Sequence, residues 1–137
     1  MKIFSEDRLA FIEIIFVESY MEKLPSINVS ITVQNDGFTG VLESVWITID
    51  DLKHFISCMD VIDVKRRGKA NLTSMSPNEF ILDFQTYDKC GHIKVNYTLT
   101  KDFSFPYFRE VSLQGGFDID SSEFLSIIKE FKKLLTK

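Results

Sequence analysis

Residues Glu79–Thr100 limit what this chain can fold into more than any other stretch. Two alternating runs, Glu79–Tyr87 and His92–Thr100, flank the short break Asp88-Lys89-Cys90-Gly91. Strand side chains alternate between faces, so Phe80, Leu82, Phe84 and Thr86 share one side. Ile93, Val95, Tyr97 and Leu99 do the same on the second run. The opposite sides carry Glu79, Ile81, Asp83 and Gln85, and then His92, Lys94, Asn96 and Thr98. One apolar face and one largely polar face predict a β-hairpin near the centre of a sheet. Gly91 can take the positive φ that such a connection often needs.

The rest of the chain is compatible with this centre. Leu9–Ser19 is β-branched and aromatic with apolar residues on both faces, which predicts a strand; a helix competes for so short a run. Glu22–Ser26 reads as a turn. Ile27, Val29, Ile31 and Val33 alternate with polar residues in the cleanest strand of the sequence. Asn35-Asp36-Gly37 then turns the chain into a third strand, Phe38–Ile47. Thr48 caps a first helix, with Leu52, Phe55, Ile56 and Met59 on one stripe and an end near Asp60–Asp63. Lys69–Thr73 reads as a short strand and Ser76-Pro77-Asn78 as a turn. Arg109–Ile119 is the last strand, with Val111, Leu113, Phe117 and Ile119 on one face and a bulge or bend expected at Gly115-Gly116. Asp120 and Glu123 have capping-box spacing before a second helix whose stripe is Phe124, Ile127, Ile128, Phe131, Leu134 and Leu135. The expected fold is α+β: a mostly antiparallel twisted sheet of six to seven strands, with two amphipathic helices packed on one face.

At 137 residues the chain predicts a single domain, residues 1–137. A formal charge of −4 argues against nucleic acid as the main ligand and suits a basic partner. Cys58 and Cys90 read as free thiols of a reducing compartment, although a disulfide between them is geometrically open. The N-terminal stretch lacks the pattern of a signal peptide, and no run is long enough to span a bilayer. A cytoplasmic protein is expected.

The chemistry of catalysis is sparse. His54 and Cys58 stand one helical turn apart, but a zinc site needs three or four protein ligands. Cys90 and His92 could share a strand face, yet no third group orients them. Neither a nucleophile elbow nor a glycine-rich phosphate loop is present, and Lys65-Arg66-Arg67 suits a helix C-terminus. No cofactor, metal or catalytic set is expected. Two features suit recognition. One is the polar hairpin face, Asp83, Gln85, His92, Lys94 and Asn96. The other is the aromatic segment Phe103, Phe105, Tyr107 and Phe108 with Arg109, residue types that anchor interfaces. That segment either forms an interface or folds back over the core edge.

From Val45-Trp46 onward the chain resembles the WapI-type immunity proteins of bacterial polymorphic toxin systems. The resemblance runs through Val45–Phe55, Gly68–Leu72, Ser76–Phe80, Gly91–Val95 and the final strand into Asp120 and the closing helix. Such a resemblance implies a non-enzymatic cytoplasmic protein that binds and neutralises a cognate toxin domain, often a nuclease. It assigns no contact residue: Trp46, Pro77, Gly91 and His92 suit a framework as well as a site. A rival reading is a small-ligand binder or enzyme on the open sheet face, with His92 as a base near Asp83 or Cys90. A third is an assembly subunit. The oligomeric state stays open.

Overall fold

Eight strands, two α-helices and one 3-10 turn succeed one another in the computed structural model, which describes residues 1–137. The strands before the first helix are β1 (Lys2–Phe4), β2 (Phe11–Tyr20), β3 (Ser26–Asn35) and β4 (Phe38–Thr48). After α1 (Ile49–Lys65) come β5 (Lys69–Thr73), β6 (Phe80–Thr86), β7 (Ile93–Phe103) and β8 (Arg109–Ile119). The 3-10 turn Ser121–Glu123 leads into α2 (Phe124–Leu134). All pairings are antiparallel, and the strands form two sheets of four, each in sequential order.

The α+β class, the antiparallel pairing and the helices on one sheet face match the sequence reading. The expected count of six to seven strands becomes eight, divided between two sheets. The added strand is β1, only three residues long, which offers too little alternation to read from sequence. Leu9–Ser19 resolves as a strand, β2, with Ile12 and Ile14 buried and Ile15 and Val17 exposed.

The Glu79–Thr100 hairpin is central to the second sheet, between β5 and β8. Its predicted inner residues Phe80, Leu82, Phe84, Ile93, Val95, Tyr97 and Leu99 are all buried. Gly91 adopts φ +79 in the connection. Phe84 then meets both helices. Its ring lies 6.0 Å from Phe55 of α1, 5.8 Å from Phe124 and 6.4 Å from Phe131 of α2. Phe55 and Phe131 close the group edge to face at 5.0 Å, a favoured aromatic geometry. Both sheets and both helices share one cluster of 30 buried apolar residues.

Thr48 caps α1 as expected, its Oγ1 accepting from the Asp51 N–H at 3.1 Å. The stripe Leu52, Phe55, Ile56 and Met59 is buried, and Ile62 extends it. The helix therefore runs past Asp63 and stops at Arg66, which turns left-handed at φ 53 and donates its N–H to the Ile62 carbonyl. The predicted capping box is not formed. Asp120 caps the 3-10 turn through Ser122, while Glu123 bonds Arg8 at 3.0 Å. Register along β7–β8 is continuous, so Gly115-Gly116 makes no bulge. These glycines make room instead. A Cβ on Gly115 would stand 2.5 Å from the Tyr97 hydroxyl, and one on Gly116 2.6 Å from the Asn96 side chain. Asn35, ending β3, donates to that Tyr97 hydroxyl at 3.0 Å and ties the two sheets together.

Replacing Phe84 by Ala should lower stability by about 3–5 kcal/mol, the usual cost of emptying a buried aromatic site. Thr48→Ala should cost about 1 kcal/mol, the worth of one N-cap. Urea unfolding monitored by far-UV circular dichroism reads both. A Phe84→Ala loss below that of Thr48→Ala would remove the aromatic cluster from its central role.

Candidate partner-binding surface

The inward face of β7–β8 runs past the end of the core. Leu99 is buried and Leu113 half-buried, but Val111 on the same face is exposed. Ladder pairing continues beyond that point, through Lys101–Val111, Asp102–Glu110 and Phe103–Arg109. The hairpin therefore projects, and its tip holds Phe105 (89% exposed), Tyr107 (81%) and Phe108 (72%). The Phe105–Pro106 peptide is cis. The Arg109 guanidinium sits 5.0 Å from the Phe103 ring centroid, a cation–π contact at the neck. The tip does not fold back over the core edge, since its three rings stay exposed.

Beside the neck lies an open cleft of about 470 Å³ between the middle of β4, the turn before β6 and the outer end of β7. Glu43, Glu79 and Asp102 line it with Lys101 and Phe103. Burial raises the carboxyl pKa of Glu79 above its ordinary value. Three acids against one lysine make the cleft negative.

The predicted polar face runs from the middle of β6 and β7 to their connection. Asp83, Gln85, Lys94 and Asn96 lie half-buried on the outward face of the second sheet, where Asp83 pairs with Asn96 and Gln85 with Lys94 across the ladder. One Asp83 carboxylate oxygen is 3.8 Å from Lys69 Nζ, and the other is buried without a hydrogen-bond partner. His92 stands at the end of this face, in the β6–β7 connection, where its carbonyl accepts from the Tyr87 N–H and continues the ladder. Its Nδ1 contacts Asp88 Oδ2, while the Asp88 Oδ1 accepts from the backbone N–H groups of Cys90 and His92. Tyr87 stacks on the His92 ring at 6.1 Å. The His92 side chain is 60% exposed, so it sits at the surface rather than inside a pocket. Cys90 is also exposed, and both thiols are free. His54 and Cys58 are 3.7 Å apart on α1, and no cluster of three or more His, Cys, Asp or Glu is gathered anywhere as a metal-binding set.

The two predicted groups are separated along β7: from Asn96 to Phe103 is seven residues, roughly 23 Å at ~3.3 Å per residue. They cannot form one small-ligand site. Sequence reasoning missed Glu43, Val111 and the pairing of Asp102 with Glu110. The alternation of β7 breaks at Lys101, which takes the apolar-face position after Leu99, so the strand's continuation to Phe103 had no clear local signal. It also missed Asp88 as the partner of His92, although Asp four residues before His across a Cys-Gly turn is compatible with such a contact.

The result is an α+β domain with a projecting aromatic hairpin beside an acidic cleft. A family model described as the immunity protein WapI-like family matches residues 4–137. The chain belongs to that family and is an immunity protein. The match includes residues 4–44 as well as the stretches that carry the resemblance. No curated protein and no solved structure matches the chain. No helix is long and apolar enough to cross a membrane.

The contact with Asp88, first by hydrogen bond and then by charge, raises the His92 pKa above its ordinary value, and the same bond lowers that of Asp88. The raised imidazole value means that the pair's stabilisation is complete below about pH 6.5 and fades as pH rises through the shifted value. The lowered carboxylate value means that it also fades in acid, as pH falls below about 4 through the shifted Asp88 value. An NMR titration should therefore give His92 a midpoint above that of a free histidine. Asp88→Asn should bring it back down. An unchanged midpoint in that variant would dissolve the pair.

Proposed function

We propose that this protein binds a cognate toxin domain and neutralises it by stoichiometric occlusion, without chemistry of its own, in the cytoplasm where the toxin acts. The observation that carries this reading is the projecting β7–β8 tip. Phe105, Tyr107 and Phe108 are large, rigid and solvated, and the fold gains nothing from them. Exposed aromatics in a cluster mark interaction surfaces, and such residues dominate interface energetics when buried by a partner. Membership of the immunity family supports a toxin as that partner.

Charge supports the class of toxin. The chain carries −4 overall, and acids line the cleft beside the tip. A nuclease must hold phosphate and is basic where it does so. Complementary fields would raise the association rate and weaken with salt. The oligomeric state of the immunity protein does not enter this reading.

Co-expression with the toxin reading frame beside it should protect cells, and the purified protein should capture the toxin's C-terminal domain one to one. Phe105→Ala with Tyr107→Ala should leave stability within about 0.5 kcal/mol, as for other exposed positions. The same pair should weaken capture by at least tenfold, measured by isothermal titration calorimetry. Full affinity in the double variant would take the tip out of the interface, and absent protection would sink the immunity reading for that toxin.

A further inference from the structure

The second sheet ends at β8, an eleven-residue edge strand. Its backbone can be accounted for group by group. Tyr87 donates its N–H to the His92 carbonyl, and Thr100 donates to Glu79. Even-numbered residues of β7 thus face β6, and odd-numbered ones face β8. In an antiparallel ladder a residue's N–H and C=O point the same way. The odd residues of β8 therefore bond β7, and the even ones point away from the sheet.

Two contacts verify this independently. The outward carbonyl of Asp118 accepts from the Glu6 N–H at 2.9 Å, and that of Gly116 accepts from Asn35 Nδ2 at 3.3 Å. The β1–β2 turn and Asn35 so close the lower end of the edge. Above them Glu110, Ser112 and Gln114 have outward N–H and C=O groups with no hydrogen bond to the rest of the chain. This open edge is five residues long, about 17 Å at ~3.4 Å per residue. It leads directly into the aromatic tip.

Charge selects the occupant. Asp102 and Glu110 are directly paired across β7–β8, and neither carboxylate joins an ion pair. Like charges so placed repel. Glu43 and Glu79 add to the same sign at the neighbouring cleft. A second copy of this chain, paired antiparallel about Ser112, would set Glu110 across from Gln114 of the other copy and bring no cation to Asp102.

We propose that the β8 edge at Glu110–Gln114 receives an extended strand of the toxin domain, which carries Lys or Arg opposite the Asp102–Glu110 pair. This rests on the toxin-binding reading above and names its docking mode. Strand addition supplies main-chain hydrogen bonds, the aromatic tip closes over the added strand's end, and the acid pair sets register.

Two variants at one position isolate the backbone. Ser112→Pro removes an outward N–H that β7 does not use, a place where an edge strand tolerates proline. Ser112→Ala keeps that N–H and removes only the hydroxyl. Affinity for the toxin's C-terminal domain should fall at least tenfold in Ser112→Pro and stay within twofold in Ser112→Ala. Glu110→Lys should slow association and reduce its salt dependence. Hydrogen exchange on the unaltered protein needs no variant: the amides of Glu110, Ser112 and Gln114 should exchange fast alone and become protected in the complex. If the toxin domain binds but those amides stay unprotected, strand addition is wrong and toxin binding stands. If the toxin domain does not bind at all, the functional reading itself fails. Protection of the same amides at high concentration of the immunity protein alone would assign the edge to a second copy and overturn the proposal.

Discussion

The contact of Phe84 with Phe55, Phe124 and Phe131 joins the second sheet to both helices, and the rest of the fold is arranged about it. Four rings from three elements meet where no one of them could bury its own. A four-stranded sheet exposes two faces, and an amphipathic helix has one stripe to hide. Here the helical stripes and the inner faces of two sheets close on a common core. Ties between distant segments then hold the arrangement at its margins. Asn35 reaches Tyr97 and Gly116, Glu6 reaches Asp118, and Arg8 reaches Glu123. The last is a solvated ion pair, worth little alone.

That core does not extend along the whole of β7 and β8. The strands keep pairing after the apolar support beneath them has ended, so the hairpin stands clear of the body. Side chains that would pack inward elsewhere meet water there. The exposure of Phe105, Tyr107 and Phe108 is thus a consequence of hairpin length against core size. It leaves a cluster of aromatic rings in water while the interior stays closed. The acidic cleft at the neck and the open upper edge of β8 lie beside the same aromatic tip, so apolar, charged and unbonded backbone surface all fall on one end of the molecule.

Glycine interrupts strands, so Gly115-Gly116 predicts a bulge or a bend, yet the register is unbroken and there is no bulge. The glycines answer to Tyr97 and Asn96, which crowd them from the neighbouring strand, and no local pattern announces a neighbour. Asp120 and Glu123 had the spacing of a capping box, but Glu123 found Arg8 more than a hundred residues away. His92 follows Lys94 and Asn96 by parity, and no pattern announces that Asp88 also holds it at the turn, where an Asp side chain accepting from backbone N–H groups tightens the turn around itself.

Alternation and helical spacing were enough to determine the α+β class, the two helices with their buried stripes, the capping by Thr48 and the inner and outer faces of the Glu79–Thr100 hairpin. Those features are local: a strand's faces follow from a period of two and a helix's from 3.6, whatever surrounds them. The aromatic run was visible too, but not whether it was buried. The division into two sheets, the extra strand β1, the projection of the tip, the pairing of Asp102 with Glu110 and the unbonded stretch of β8 were decided by packing. Each depends on which distant segments arrive beside it and how far the common core reaches, and a one-dimensional pattern does not encode where a neighbour stops.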